Sequence, residues 1–557
     1  MAWRRCARLR GVAVAAAHNL ADLARATAAR AGSRTALIAD DRSVTWSELD
    51  STADAVAAGL RARGLSPGDR VALALGTTIE FVQAYLGTLR AGCVAVPVNT
   101  GLTTGEMARV LADSGSRLVV AAGPALTAVR QAVAGLADAL TDAPPELAGA
   151  EVPRLVVTGV PVLPGESSYE SLSGAEGEAH GEPAGGGEDL AALLYTSGTS
   201  GHPRAAMLTH RALLADIEAV MALDPPPMRA DDVVLGVLPL FHVYGLNAVL
   251  GVALRTGATL VLTERFDGDG TLELVRRHGV TNVPAAPPVL VAWAAREDLD
   301  EALAGVQLVV SGAAPLPVTV LEQVETASGA PVHEGYGLTE AAPVLTTTLA
   351  SGGRRKPGSV GRPLPGVDLR LVDEDGHEVE EGDPGEVAVR GPMLFSGYWP
   401  DGSGGPDARG WWRTGDVAYA DEDGDLYLVD RVKELVIVSG FNVYPAEVEE
   451  VLVEHPGVAA AAVIGVPHPA TGEAVKALVV PAEGAELSVP DVLAHARARL
   501  ARFKCPTVVQ VVAELPYSAT GKVAKGRLRA RERVEAELGP GVATAPDPVR
   551  GPGRERR

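Results

Sequence analysis

Short apolar runs alternate along this chain with helical stretches, the rhythm of strands crossed by helices. The runs at 70–75 (RVALAL), 93–98 (CVAVPV), 117–120 (RLVV) and 306–310 (VQLVV) read as buried strands. The helices between them start where capping chemistry predicts. Thr45 with Glu48, and Thr103 with Glu106, fit the S/T-x-x-E box, in which hydroxyl and carboxylate each satisfy an orphan backbone amide. Helices over 46–63 and 104–114 follow, and Gly64 and Gly115 suit their C-terminal ends. Such alternation predicts an α/β fold, a large N-terminal domain of α/β sheets packed with helices over residues 18–430.

Two changes of texture mark the rest. Residues 164–188 are acidic, Gly-rich and nearly devoid of large hydrophobes, which predicts a surface loop of little order before the buried strand 190–195 (LAALLY). Beyond residue 430, strand patterns at 434–438, 459–466 and 476–480 with helices near 445–454 and 489–501 describe a small, separate α+β domain over 434–530. The remainder, 531–557, with its Pro/Gly/Arg-rich stretch from 539, predicts a disordered tail. No internal repeat is present.

Composition narrows the function. A chain of 557 residues exceeds the size at which one core stops growing, so two domains are expected. Hydrophobic residues make up 47% and aromatics only 4%, so Ala, Val and Leu must fill the interior. The net charge of −21 argues against a nucleic-acid partner, and any phosphate must meet local cations and backbone amides. Cys6, Cys93 and Cys505 are too far apart for a disulfide framework or zinc site, which fits a reducing, cytoplasmic location. The basic start at 1–17 leads into an apolar run too short and Ala-rich for a signal peptide, and is read as a frayed extension. No window predicts a transmembrane segment, which leaves peripheral membrane contact open.

The strongest chemical signal is 195–210, YTSGTSGHPRAAMLTH, a strand running into a Ser/Thr/Gly loop with a basic residue before a helix. Glycines let backbone amides turn toward an anion and the hydroxyls add donors, so Thr196, Ser197, Gly198, Thr199, Ser200, Gly201 and Arg204 are candidate phosphate contacts. It is not a Walker A loop, since Gly521-Lys522 is followed by Val523. The segment resembles the YTSGTTGxPKG signature of the adenylate-forming superfamily, in its acyl-CoA synthetase branch. Arg204 and Ala205 stand where that pattern mostly has Lys and Gly; Arg keeps the charge, while the Cβ of Ala205 is expected to reduce loop mobility. Further motifs match in order: 239–246 (PLFHVYGL), 311–316 (SGAAPL), 334–340 (EGYGLTE), 413–417 (RTGDV), 430–447 (DRVKELVIVSGFNVYPAE) and 515–522 (LPYSATGK). Singly, His242 reads as a core histidine, Asp416 as a turn residue and Lys522 as a surface charge; the ordered set carries the resemblance.

The resemblance implies an ATP- and Mg²⁺-dependent ligase that converts a carboxylic acid to acyl-AMP and then to a coenzyme A thioester. Glu340 matches the magnesium ligand, Thr339 lies by the α-phosphate, and Tyr336 and Gly337 face adenine in a pocket completed by Gly312, Ala313 and Ala314. Asp416 matches the acceptor for the ribose hydroxyls, and Arg431 the residue that adds a further contact to the nucleotide. Lys522 matches the catalytic lysine of adenylation, Lys433 the hinge of a mobile small domain, and Gly440 the passage for the pantetheine arm of coenzyme A. His242 and Tyr244 would gate the acid, with Gly245, Gly335 and Ala341 lining an acyl pocket that holds no Lys or Arg. That favours a medium- or long-chain fatty acid; an aryl acid, or delivery to a carrier protein, is the alternative. A fold that only binds nucleotide would have little use for Lys522. Lys522→Ala is therefore expected to abolish adenylation and largely spare transfer from supplied acyl-AMP to coenzyme A, and equal loss of both half-reactions would reject that role.

Overall fold

The computed structural model describes residues 18–141, 152–174, 184–196, 203–352, 355–431, 436–438, 441–468, 472–500, 502–517, 523–529 and 532. The chain divides into two compact units, 1–428 and 429–557. The starting segment 1–17, most of the tail, the loop residues Ser197 to Gly201, and Lys433, Gly440 and Lys522 lie outside the described residues.

The larger unit is a mixed α/β structure built on two large sheets. A seven-stranded sheet runs Ser167–Ser168, Arg154–Val157, Ser116–Ala121, Arg70–Ala74, Val94–Pro97, Leu190–Thr196, Arg204–Thr209, parallel until the last pair, which is antiparallel. A nine-stranded sheet carries Asn282–Ala285, Leu308–Ser311 and Val332–Gly337 in parallel through its middle, with Val344–Thr347 turning back antiparallel. Parallel strands covered by helices on both faces must be apolar on both, which is why these segments read as continuous apolar runs. Both capping boxes form, on helices Trp46–Ala62 and Thr104–Ser114, and Gly64 and Gly115 take positive φ at their ends.

The acidic stretch departs from expectation over its first part. Ser167–Ser168 pairs as a strand, Ser168 caps a helix at Tyr169–Ser173, and Tyr169 and Leu172 are buried. Two apolar residues three positions apart suffice to dock a single turn, a spacing that average composition conceals. Residues 175–183 are not described.

In the smaller unit, strands Val458–His468 and Gly472–Pro481 form a long antiparallel pair, with Val508–Val511 parallel to the second. Val463, Val475 and Val479 pack with Val448 and Leu452 of helix Pro445–Val453, while Ala462, Ile464 and Leu478 face a second cluster with Leu515 and Leu528. Period-two alternation thus gives one sheet two apolar faces.

A buried cation anchors the helices of the larger unit. Arg90 is fully buried; its guanidinium pairs with Asp50 and, at 2.9 Å, with Asp54, and also donates to the Asp50 carbonyl at 2.6 Å. Arg90→Ala takes the guanidinium from the poorly solvated Asp50, while Asp54 keeps Arg25 at 2.6 Å, and is expected to cost about 3 kcal/mol, read by urea unfolding. A loss below about 1 kcal/mol would show the pair to be worth no more than a surface ion pair.

Candidate functional site

Within the larger unit, the carboxyl end of the nine-stranded sheet gathers most of the described candidate residues. Strand Val332–Gly337 delivers Tyr336, whose hydroxyl donates to Asp416 Oδ2 at 2.6 Å, and both residues are buried. The Ser311–Leu316 loop follows the neighbouring strand, and there Ala313 adopts φ 74°, a left-handed conformation that non-glycine residues take at some cost. Gly312 packs against Tyr244 so closely that a Cβ would lie 2.9 Å from the ring. A Cβ on Gly337 would sit 2.0 Å from the Pro343 carbonyl, so only glycine lets strand and returning chain approach here.

Thr339, Glu340 and Ala341 form one 3-10 turn, and Ala342 after it also takes a left-handed φ of 65°. Asn247 holds this turn from below, its Nδ2 donating to the Ala342 carbonyl at 2.6 Å and to Asp216 Oδ2 at 3.2 Å. Asp216 in turn accepts from the Val344 amide at 2.9 Å, and complete burial drives its carboxyl pKa well above the ordinary range. Glu340 is buried and accepts from the Tyr398 hydroxyl at 2.7 Å, while Arg204 Cζ lies 3.7 Å from the Tyr398 ring centroid. Neither Tyr398 nor Asp216 was singled out by the sequence, because each makes its contacts across a long separation that no local pattern reports.

His242 and Tyr244 sit at the start of a π-helical stretch, Tyr244–Gly251. His242 Nδ1 accepts from the Tyr244 amide at 3.3 Å, which puts the proton of a neutral ring on Nε2. The Tyr244 hydroxyl donates to the Val310 carbonyl at 3.0 Å, and burial raises its pKa. Behind this ring lies a cavity of about 80 Å³, lined by Val220, Met228, Ala248, Val283, Val310 and Val344 among others, with no charged residue. Of the expected acyl-pocket residues, Tyr244 lines it; Gly245, Gly335 and Ala341 are buried or half-buried nearby in sequence but do not.

The phosphate loop is described only at its ends. Thr196 closes one strand, with its hydroxyl donating to the Arg204 carbonyl at 3.3 Å, and Arg204 opens the next. Ala205 is not a loop residue: it is a buried strand position paired with Tyr195, its carbonyl accepting from the Trp399 amide at 2.9 Å. Its Cβ therefore fills core space.

Glu334, two residues before Tyr336, accepts weakly from the Leu316 amide at 3.4 Å, and burial pushes its carboxyl pKa up to about 7. An unfolded glutamate titrates near 4.3, so between that value and about 7 the folded chain binds the extra proton. Stability therefore falls as pH rises through this window and is flat above it. Glu334→Gln should lose that slope and be more stable than the parent at pH 8 by about 1–3 kcal/mol, with little difference at pH 4; parallel melting curves across pH would refute the burial effect.

The chain matches two family models, AMP-binding enzyme over residues 24–399 and AMP-binding enzyme C-terminal domain over 447–522. It is 33% identical over 522 residues to a long-chain-fatty-acid–CoA ligase of Bacillus subtilis, covering 91% of this chain and 93% of that one. A 4-coumarate–CoA ligase of Oryza sativa is 34% identical over 505 residues, covering 88% and 90%. Among solved structures, ATP-bound MatB from Rhodopseudomonas palustris superposes with a TM-score of 0.83 at 33% identity, over 93% of this chain and 99% of that one. Catalytic and binding motifs in order, two large sheets meeting at a polar site, and relatives matched over nearly their full length lead to one conclusion: the chain belongs to the AMP-binding enzyme family, as an AMP-forming CoA ligase of acyl or aryl acids.

Proposed function

We propose that the acid is one with an apolar acyl group, a medium- or long-chain fatty acid, activated as acyl-AMP with release of pyrophosphate and then passed to coenzyme A. The observation that carries this reading is the uncharged cavity behind Tyr244, which offers a carboxylate no cation and part of an alkyl chain a dry wall. A carboxylate is a poor acyl donor until one oxygen leaves as part of AMP. Its attack on a phosphate brings two anions together, so the residues must neutralise charge and exclude water.

In this reading Tyr336 stacks on adenine beside Gly312, Ala313 and Ala314, and Asp416, which already orients Tyr336, accepts from the ribose hydroxyls. Glu340 suits a hard divalent cation, being a buried carboxylate whose hydrogen-bond neighbour is a neutral phenol rather than a competing ammonium. It would hold magnesium, which supplies neutralisation of the phosphate oxygens. Thr339 lies beside Glu340 toward the α-phosphate, and Arg204 adds a fixed cation at the end of the phosphate loop. Lys522 is assigned to the acid carboxylate and α-phosphate, Lys433 to the hinge and Gly440 to the thiol's path, each on the strength of its motif. Tyr244 lines the cavity, where movement of its ring would lengthen it for a longer chain, and His242 is assigned to the acid's entry on the strength of its motif.

Purified protein given ATP, Mg²⁺, coenzyme A and a graded series of straight-chain acids tests the reading by mass identification of thioesters. The expected result is a kcat/KM rising about fourfold per added methylene, from roughly 0.8 kcal/mol per buried CH₂, until the cavity is filled, with succinate giving no product. Thioesters from aryl acids alone would make this an aryl-acid ligase, and acyl-AMP without thioester would point to a carrier-protein acceptor.

A further inference from the structure

Two groups that the adenylation reading assigns to the phosphates, Glu340 and Arg204, come from different sheets, and a single side chain stands between them. Tyr398 donates its hydroxyl to Glu340 Oε1 at 2.7 Å and offers its ring face to Arg204, with Cζ at 3.7 Å from the centroid. The ring itself is well fixed. Phe395 packs edge-on against it at 5.0 Å and is held in turn by Trp412 at 5.2 Å, while the Tyr398 backbone bridges to Ala206.

Each contact has a chemical consequence. A phenol holds one carboxylate oxygen without neutralising it, so the carboxylate keeps its charge and further lone pairs for a metal. The guanidinium carbon of Arg204 lies over the ring face, and a lysine ammonium, a compact point charge, cannot stack there as a planar guanidinium can. We propose that Tyr398 is a positioning residue of the adenylation site, aiming the Glu340 carboxylate with its hydroxyl and seating the Arg204 guanidinium with its ring, so that the anionic and cationic sides of the phosphate clamp are set as a pair. The proposal rests on the adenylation reading above.

Tyr398→Phe keeps the ring and removes the hydroxyl. Calorimetric titration of ATP at stepped magnesium concentrations should then show the metal needed for half-maximal tightening rising about tenfold, while ATP affinity in EDTA stays at the parent value. In the pyrophosphate-release assay, the loss should appear at low magnesium and recover as magnesium saturates. Tyr398→Leu removes both contacts and should in addition weaken metal-free ATP binding about threefold, whereas Arg204→Lys should weaken it in the parent and not in Tyr398→Leu. A purely structural role would lower the melting temperature without moving the magnesium midpoint. An unchanged midpoint in Tyr398→Phe, or a parent whose ATP affinity ignores magnesium, overturns the proposal. The adenylation reading fails separately, if the parent binds ATP with magnesium yet releases no pyrophosphate with any apolar acid.

Discussion

The backbone of residues 395–399 is the constraint on which the described part of the site depends. The Met207 amide donates to the Gly397 carbonyl at 3.0 Å, the Ser396 amide to the Met207 carbonyl at 2.9 Å and the Trp399 amide to the Ala205 carbonyl at 2.9 Å. On its other side the Phe395 amide donates to the Glu340 carbonyl at 2.9 Å. The edge strand Arg204–Thr209 of one sheet is thereby stapled to the turn that carries Glu340 at the end of the other. An edge strand left unpaired would expose its donors and acceptors. Here the segment that satisfies them also fixes the distance between two functional groups.

Support from beneath follows the same logic. The left-handed Ala342 stores local strain, and strained backbone persists only where its surroundings over-determine it. The buried Asp216 and Asn247 do so, binding the carbonyl of Ala342 and the amide of Val344 from the helical layer. The apolar cavity lies against the same elements, since Ala248 and Val344 line it. The cavity wall and the turn that carries Glu340 therefore share one scaffold.

Charge is handled locally in a chain whose net charge is −21. Lys356 sits among Asp421 and Asp423, at 2.5 and 2.8 Å, with Asp425 at 3.3 Å, and its pKa is raised accordingly. Arg90 and Arg130 are likewise each committed to carboxylates. Arg204 has an aromatic face against its guanidinium, with the Asp401 carboxylate, held in its charged form first by backbone hydrogen bonding, close enough to be favoured by it as well.

The sequence by itself determined the elements and their chemistry. Caps at Thr45 and Thr103, apolar runs for strands and the ordered motifs gave the α/β class, the small second unit and a family of reactions, because these signals are carried by residues a few positions apart. It erred where the local signal is thin: Tyr169 and Leu172 fold a turn inside an acidic stretch, and Ala205 belongs to a buried strand rather than to a loop. Only the tertiary structure decided that Tyr398 joins Glu340 to Arg204, that Asn247 reaches Ala342, and that Tyr244 lines a cavity whose walls come from four strands and four helical segments. Those contacts join residues many tens of positions apart, through hydrogen bonds and packing that depend on how sheets and helices register. A chain read in order contains no term for that register; it is fixed when the apolar faces are buried against one another.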